Sequence, residues 1–363
     1  MKYIIIIDEK FFDFGKAELD SIITNNTSKF IKLANRFFLL ECNQNIPSNH
    51  KFSFIEGIVP VEKIDCNIND YEKITEAIKS MLNKNKSFKI EALNLNVHNE
   101  HSAKDIEVKL GTILESQGYS VDLKNPLLNV YLFLSNPGIF VGSLPSSDSI
   151  NANQFRFSKK STISRAQFKL EEALNFFKIN NLKTVIDIGA APGGWSLVML
   201  SRGAKVIAVD NALLNYKELL GSGSKKFIIF SDSDEPFDNY TKEHTEIIPI
   251  KSLYSLNLSD MDFDLCHIKE GIEKIDFEKL NIKVDALLID MNIAPAKSAE
   301  EACKLSKMLN DNGLLLMTVK LVNDNINKNI KDAEDVLAGC YKHIELKRLP
   351  HNRKEITLFA KLK

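Results

Sequence analysis

TVIDIGAAPGGWSLVMLSRGAKVIAVD, residues 184–210, is the stretch on which the fold turns. An apolar run ends in glycines, a helix-like segment follows, and a second apolar run ends in an acid. Strand, glycine turn, helix and strand in that order hold a nucleotide-type ligand at the carboxyl edge of a parallel sheet. The glycines are Gly189, Gly193 and Gly194, so the spacing is GxxxGG. A dinucleotide site needs GxGxxG, because its middle glycine lets a pyrophosphate approach the backbone. Near that position this chain has Ala191 and Pro192, and proline carries no amide hydrogen. A cofactor with a nucleoside and no phosphate fits better.

S-adenosylmethionine is such a cofactor. Gly193 and Gly194 are expected to let the backbone pass close to its sulfonium-bearing tail, with Gly189 and Pro192 completing the loop. Asp210, ending the second strand, is placed to accept hydrogen bonds from the two ribose hydroxyls. Trp195 either walls this pocket or belongs to the core.

Downstream, the apolar runs DALLID, GLLLMTVKL and EITLFAKL alternate with helical stretches, which implies a mainly parallel sheet with helices on both faces over residues 159–363. The segment GSGSKKFIIFSDSDEPFDNYTKEH, within residues 220–265, reads as an insertion. Upstream, residues 144–158 are rich in Ser, Asn and Asp and read as a linker. In residues 58–143, Tyr71, Ile74, Ile78 and Met81 share one helical face, and Ile106, Leu110, Ile113 and Leu114 share another behind Ser102 as N-cap. Between them SFKIEALNLNV is a strand whose alternation slips at Leu93, where a bulge is expected. VDLKNPLLNVYLFLS and GIFVGS close this unit as strands. Residues 1–57, with YIIIID, FFDFGKAELDSII and RFFLLEC, form a small α+β unit, ferredoxin-like in outline.

Composition is that of an ordinary globular protein, with 44% hydrophobic and 26% charged residues and a formal net charge of -1. Any nucleic-acid surface must therefore be local. Five scattered cysteines without CxxC spacing read as reduced thiols, and no metal site is expected. His98 and His101 sit in a polar loop and read as a solvated turn. The apolar run in MKYIIIIDEK is too short for a signal peptide or a membrane span, so a soluble, cytoplasmic protein with no obligate protein partner is expected.

Four charged residues stand at chemically suggestive places. Asp290 and Lys320 follow wholly apolar runs, Lys169 lies on a helix before the glycine-loop strand, and Glu355 opens the last strand. Open α/β sheets keep their sites at such strand ends. Two lysines and two carboxylates are expected to hold one amine near neutrality, through desolvation and the second cation. Such an amine serves as general base towards an alcohol.

The Lys169, Asp290, Lys320, Glu355 order, with DIGAAPGGWS, SRAQFKLEEA and RKEITLF, resembles the FtsJ-type RNA ribose 2′-O-methyltransferases over the whole third region. FKIEA, the amphipathic helix after it and VDLKNPLLNVYLFL resemble a THUMP domain, a module of RNA-modifying enzymes. The fold class implied is α/β: a Rossmann-like S-adenosylmethionine-dependent methyltransferase domain preceded by a THUMP domain and the small N-terminal α+β unit. By this resemblance Lys320 is the general base, Asp290 orients it and faces the methyl donor, and Lys169 and Glu355 position the ribose. An acid before a glycine contacts the adenine amine in the family; Glu270 matches best, with Asp262 and Asp264 as rivals.

RNA is the implied partner, ribosomal RNA first and transfer RNA second. Lys159, Lys160 and Arg165 lie in a segment without acids, and the C-terminal stretch with Arg348 and Arg353 is also basic. Both flank members of the charged set and form a candidate phosphate-binding rim. Base methylation is the rival chemistry. It usually carries Asn or Asp before Pro-Pro and an aromatic residue, where this chain has Asp290, Met291, Asn292 and Ile293. A non-catalytic RNA-binding factor is the rival outside enzymes.

Overall fold

The computed structural model describes residues 1–23, 28–46, 52–97, 102–148, 163–221, 225–233, 239–321 and 325–363. They fall into two compact units, Met1–Lys159 and Lys160–Lys363. His98, His101 and most of the expected linker lie outside the described residues.

The first unit is built on a seven-stranded sheet in the order β2-β3-β1-β4-β7-β6-β5. Its strands are β1 (Lys2–Ile6), β2 (Lys29–Ala34), β3 (Phe37–Glu41), β4 (Gly57–Ile64), β5 (Phe88–Leu95), β6 (Leu128–Ser135) and β7 (Gly138–Pro145). Helix α1 (Phe12–Ile22) joins β1 to β2, α2 (Tyr71–Lys79) precedes β5, and α3 (Ala103–Ser116) crosses from β5 to the parallel β6. The antiparallel run β2-β3-β1-β4 has the strand order of a split βαβ, ferredoxin-like unit. The expected boundary at residue 57 falls at the start of β4, which pairs with β1 and also with β7. The two expected N-terminal units therefore share a strand.

Two clusters account for many of the apolar positions. One gathers Ile4, Leu39, Val59, Phe133 and Phe140; the other buries Ile74, Ile78, Ile106 and Leu110 against Phe88, Val130 and Leu132. Strand β6 feeds both, Tyr131 and Phe133 to one and Val130 and Leu132 to the other, so residues 130–134 are apolar without a break. Strand β5 also feeds both cores. Ala92 and Leu93 serve opposite cores, and the pairing with β6 runs without a shift, so the expected bulge at Leu93 is absent. Ser102 caps α3 in a reciprocal box with Asp105.

The second unit carries a nine-stranded sheet, β11-β10-β12-β9-β8-β13-β14-β16-β15. Helix α4 (Ala166–Phe176) leads into β8 (Thr184–Ile188), α5 (Gly194–Ser201), β9 (Lys205–Val209) and α6 (Tyr216–Leu220). Then come β10 (Phe227–Phe230), α7 (Asn239–Glu243), β11 (Thr245–Ile248), β12 (Leu265–Ile268) and β13 (Val284–Ile289). The chain closes with α8 (Pro295–Leu305), β14 (Leu309–Lys320), α9 (Ile326–Leu337), β15 (Tyr341–Lys347) and β16 (Glu355–Leu362). All pairs are parallel except those of β16, which runs antiparallel to both β14 and β15. That reversal matters: the start of β16 lies beside the end of β14, with Glu355 opposite Lys320.

The presumed insertion is part of the sheet. Phe227, Ile228, Ile229 and Phe230 are buried and pair parallel with β12, and β11 pairs with β10 as the edge. No described helix is long and apolar enough to cross a membrane.

Candidate active site

Lys169, Asp290, Lys320 and Glu355 come from four elements and meet in a closed ring. Lys169 Nζ lies 2.7 Å from Asp290 Oδ2 and 2.8 Å from Glu355 Oε1. Lys320 Nζ lies 2.6 Å from Asp290 Oδ1 and 2.5 Å from Glu355 Oε2. Each amine thus bridges both carboxylates, and each carboxylate spends one oxygen on each amine. Thr318 Oγ1 also donates to Asp290 Oδ1, at 2.7 Å. All four side chains are at most 15% exposed, so their mutual pairing offsets the cost of burying them.

The charges do not settle as expected. Burial alone would lower the Lys320 ammonium, but Asp290 and Glu355 outweigh it and hold its pKa above the ordinary lysine value. Burial alone would raise Asp290, and Lys320 and Lys169 outweigh it downwards. The expected neutral amine is therefore not the resting state. Two carboxylates in contact with the amine act more strongly than desolvation and the second lysine.

The glycine loop sits at the same carboxyl edge. Gly189 has φ +74°, and a Cβ there would lie 3.1 Å from the Asp290 carbonyl oxygen. A side chain would force the loop off β13. The amides of residues 189–193 are spent within the protein. Gly189 and Ala190 donate to the Val209 carbonyl, Ala191 donates to Asp210 Oδ2 at 3.0 Å, Gly193 donates to the Ala190 carbonyl, and Pro192 has none. No amide of this stretch is left for a pyrophosphate, so a phosphate-free nucleoside cofactor suits it.

Asp210 Oδ1 accepts from the Ala212 amide at 2.8 Å, and each oxygen retains acceptor capacity for a ribose hydroxyl. Gly194 also has a packing task. A Cβ there would lie 2.3 Å from Ser164 Oγ, so it admits the start of α4. Trp195 is core: it is 3% exposed and its indole N–H donates to the Ala166 carbonyl at 2.8 Å. Glu270 follows β12 at the carboxyl edge, accepting from the Gly271 amide and from Lys274. Asp264 precedes β12 and accepts from the Lys226 amide, while Asp262 pairs with Lys226. Both rivals thus belong to the opposite edge of the sheet.

A cavity of 380 Å³ opens onto the ring, lined by Arg165, Lys169, Pro350, His351, Arg353 and Glu355. Arg165 and Arg353 are exposed and line it together. Arg348, expected beside them, is 1% exposed. Its guanidinium donates to the carbonyls of Leu349, Asn352 and Arg353, so it stitches the turn before β16. Lys159 and Lys160 lie outside the described residues.

Residues 162–329 match the FtsJ-like methyltransferase family. This stretch is an FtsJ-like methyltransferase domain. Ribosomal RNA large subunit methyltransferase M of Tolumonas auensis is 33% identical over 121 residues, 30% of this chain and 32% of that protein. The protein of that name from Pseudomonas putida is 32% identical over 136 residues, 34% of this chain and 38% of that one. An uncharacterized protein of Methanocaldococcus jannaschii is 25% identical over 208 residues, 55% and 46% of the two chains. The chain thus spans about a third to a half of the length of these relatives. TrmN of Thermus thermophilus aligns over all of both chains at 13% identity with a TM-score of 0.37, too loose a likeness to carry an argument.

The FtsJ-like domain also holds residues that no sequence pattern singled out. Asp187 in β8 is buried beneath the glycine loop, with Oδ2 accepting from Ser196 Oγ at 2.7 Å. Burial pushes its carboxyl up to about 7, against the Ser196 hydrogen bond and helped by Asp290 and Asp210. His267 Nε2 lies 3.0 Å from the Asp210 carbonyl oxygen, so that nitrogen carries a hydrogen, and Nδ1 lies 2.5 Å from the Tyr216 hydroxyl. Their common signal is weak: single polar residues inside apolar strands. A second cavity, 540 Å³ between α8 and α9, contains none of the candidate residues.

Proposed function

We propose that this protein is an S-adenosylmethionine-dependent methyltransferase acting on the 2′-hydroxyl of a ribose in structured RNA, with ribosomal RNA as the substrate class. The closed ring of Lys169, Asp290, Lys320 and Glu355 beside a phosphate-free nucleoside loop carries this reading. The ribosomal substrate is supported by the names of the bacterial relatives, and RNA as partner by Arg165 and Arg353 at the cavity. On the same reading the first unit contains the THUMP module that selects RNA by shape.

S-adenosylmethionine, when bound, supplies a methyl group activated by its sulfonium. The chain's own part is to hold and to deprotonate. Asp210 would hold the cofactor through its ribose hydroxyls, and Glu270 through its adenine. Asp290, fixed by Thr318 and both lysines, would face the methyl donor. Lys169 and Glu355 face the cavity and position the acceptor ribose. Lys320 Nζ receives the 2′-hydroxyl proton. Because the ring holds Lys320 charged at rest, it first releases a proton, and this fraction grows as pH rises. Alignment and this single proton transfer are the protein's share of the acceleration.

The test uses methyl-labelled S-adenosylmethionine with ribosomal and transfer RNA from cells lacking this protein, followed by alkaline hydrolysis. Label in alkali-resistant dinucleotides from ribosomal RNA is the expected result. Label in mononucleotides means base methylation and overturns the reading. Label confined to transfer RNA moves the substrate class, and no label with cofactor bound favours a non-catalytic RNA-binding factor.

A further inference from the structure

One wall of the ring-side cavity is not explained by holding phosphates or tuning a lysine. His351 lies in the turn before β16 and lines the cavity together with Lys169 and Glu355. Its ring is held on two sides. Nδ1 lies 2.6 Å from Glu172 Oε1, and Phe168 covers one face, with centroids 4.9 Å apart and planes at 30°. The His351 amide donates to the other oxygen of the same carboxylate at 3.1 Å. Glu172 thus fixes both backbone and ring of one residue, and Phe168 and Glu172 both project from α4, the helix that carries Lys169.

A carboxylate only accepts, so Nδ1 carries the hydrogen of that contact. What remains of the ring for the cavity is the Nε2 edge and the uncovered face. Rotamer-locked polar groups beside a reacting centre are what a site uses to orient its substrate.

We propose that His351 is a substrate-positioning residue of the acceptor site: its Nε2 edge hydrogen-bonds the acceptor nucleotide of a single-stranded RNA segment, with Glu172 and Phe168 acting through it. This rests on the RNA-methyltransferase reading. Arg165 and Arg353 hold the flanking phosphates, Lys169 and Glu355 face the sugar, and His351 closes the remaining side. At 380 Å³ the cavity falls within the roughly 300–1,000 Å³ of small-ligand pockets, enough for one nucleotide.

Two substitutions separate this role from a structural one. In His351→Asn the amide nitrogen replaces Nδ1, keeping the Glu172 contact while losing the Nε2 edge. In His351→Gln the amide nitrogen reaches the Nε2 position and gives up the Glu172 contact. The wild type and both variants are compared for KM and kcat on ribosomal RNA from cells lacking the protein. Anisotropy with a fluorescein-labelled single-stranded oligoribonucleotide, thermal melting and S-adenosylmethionine affinity run in parallel. The expected result is an about tenfold higher KM and weaker oligonucleotide binding for His351→Asn, with kcat, melting and cofactor affinity unchanged, and partial rescue by His351→Gln. Normal RNA affinity in His351→Asn with an impaired His351→Gln assigns the ring to structure and overturns the proposal. So do two silent variants, or a wild type that does not bind the oligonucleotide. A base-methylated product would overturn the ribose reading alone, since the oligonucleotide arm still decides the role of His351.

Discussion

On one side of the carboxyl edge, Lys169, Asp290, Lys320 and Glu355 hold one another by side-chain charge. On the other side, the amides of residues 189–193 donate to the Val209 and Ala190 carbonyls and to the Asp210 carboxylate. The first arrangement fixes charged atoms that a reaction uses. The second fixes a backbone shape against which a ligand lies. Substitutions on the two sides should therefore fail differently, the first in turnover and the second in cofactor affinity.

Lys320→Met tests the strongest form of that contrast. It keeps side-chain bulk and removes the amine, leaving Asp290 and Glu355 with Lys169 alone. Turnover should fall about 10²–10⁴-fold while the cofactor dissociation constant stays within about twofold. In the wild type, log(kcat/KM) should climb with pH through the neutral and mildly alkaline range with a slope near one, because the raised pKa keeps the competent neutral amine scarce. A flat profile between about pH 6 and 9 would remove Lys320 from the base role. Asp210→Ala should show the opposite pattern. Losing hydrogen bonds to a charged acceptor weakens cofactor binding about ten- to hundredfold by calorimetry, with RNA affinity unchanged.

This division also marks what was legible in the sequence. The glycine loop and the strand-end charges Asp290, Lys320 and Glu355 stood out because a sheet buried on both faces writes its strands as apolar runs with abrupt ends. The packing of two loop residues was not legible for one reason. Gly194 and Trp195 look inward to α4, and sequence does not tell which neighbour a loop residue faces. Strands β10 and β11 were hidden because they are four residues long and embedded in polar chain. Arg348 looked like a rim cation because composition counts charges without burial. The pairing of His351 with Glu172 joins residues 179 apart and left no pattern.

Asp187 sharpens the comparison from beneath the loop. Its folded pKa of about 7 lies above the ordinary carboxylate value, so between roughly pH 4 and 7 the folded state binds more protons than the unfolded. Stability therefore declines as pH rises through that window and levels off above it. Asp187→Asn should flatten that decline, read as melting temperature against pH. The same decline in the variant would assign it to another group.

The smallest effect concerns two arginines that sequence treats alike. Arg353 is exposed at the cavity, whereas Arg348 is buried with its guanidinium on three carbonyls. Arg353→Ala should weaken RNA binding a few-fold and reduce the slope of log K against log salt by about 0.7–0.9, one phosphate's worth of released counterion. Arg348→Ala should leave that slope alone and lower the melting temperature, because the carbonyls of Leu349, Asn352 and Arg353 lose a donor. If both variants changed the slope equally, the turn would open in solution and Arg348 would rejoin the rim. If neither did, the phosphates would follow another path, and the basic segment before α4 would be the place to look.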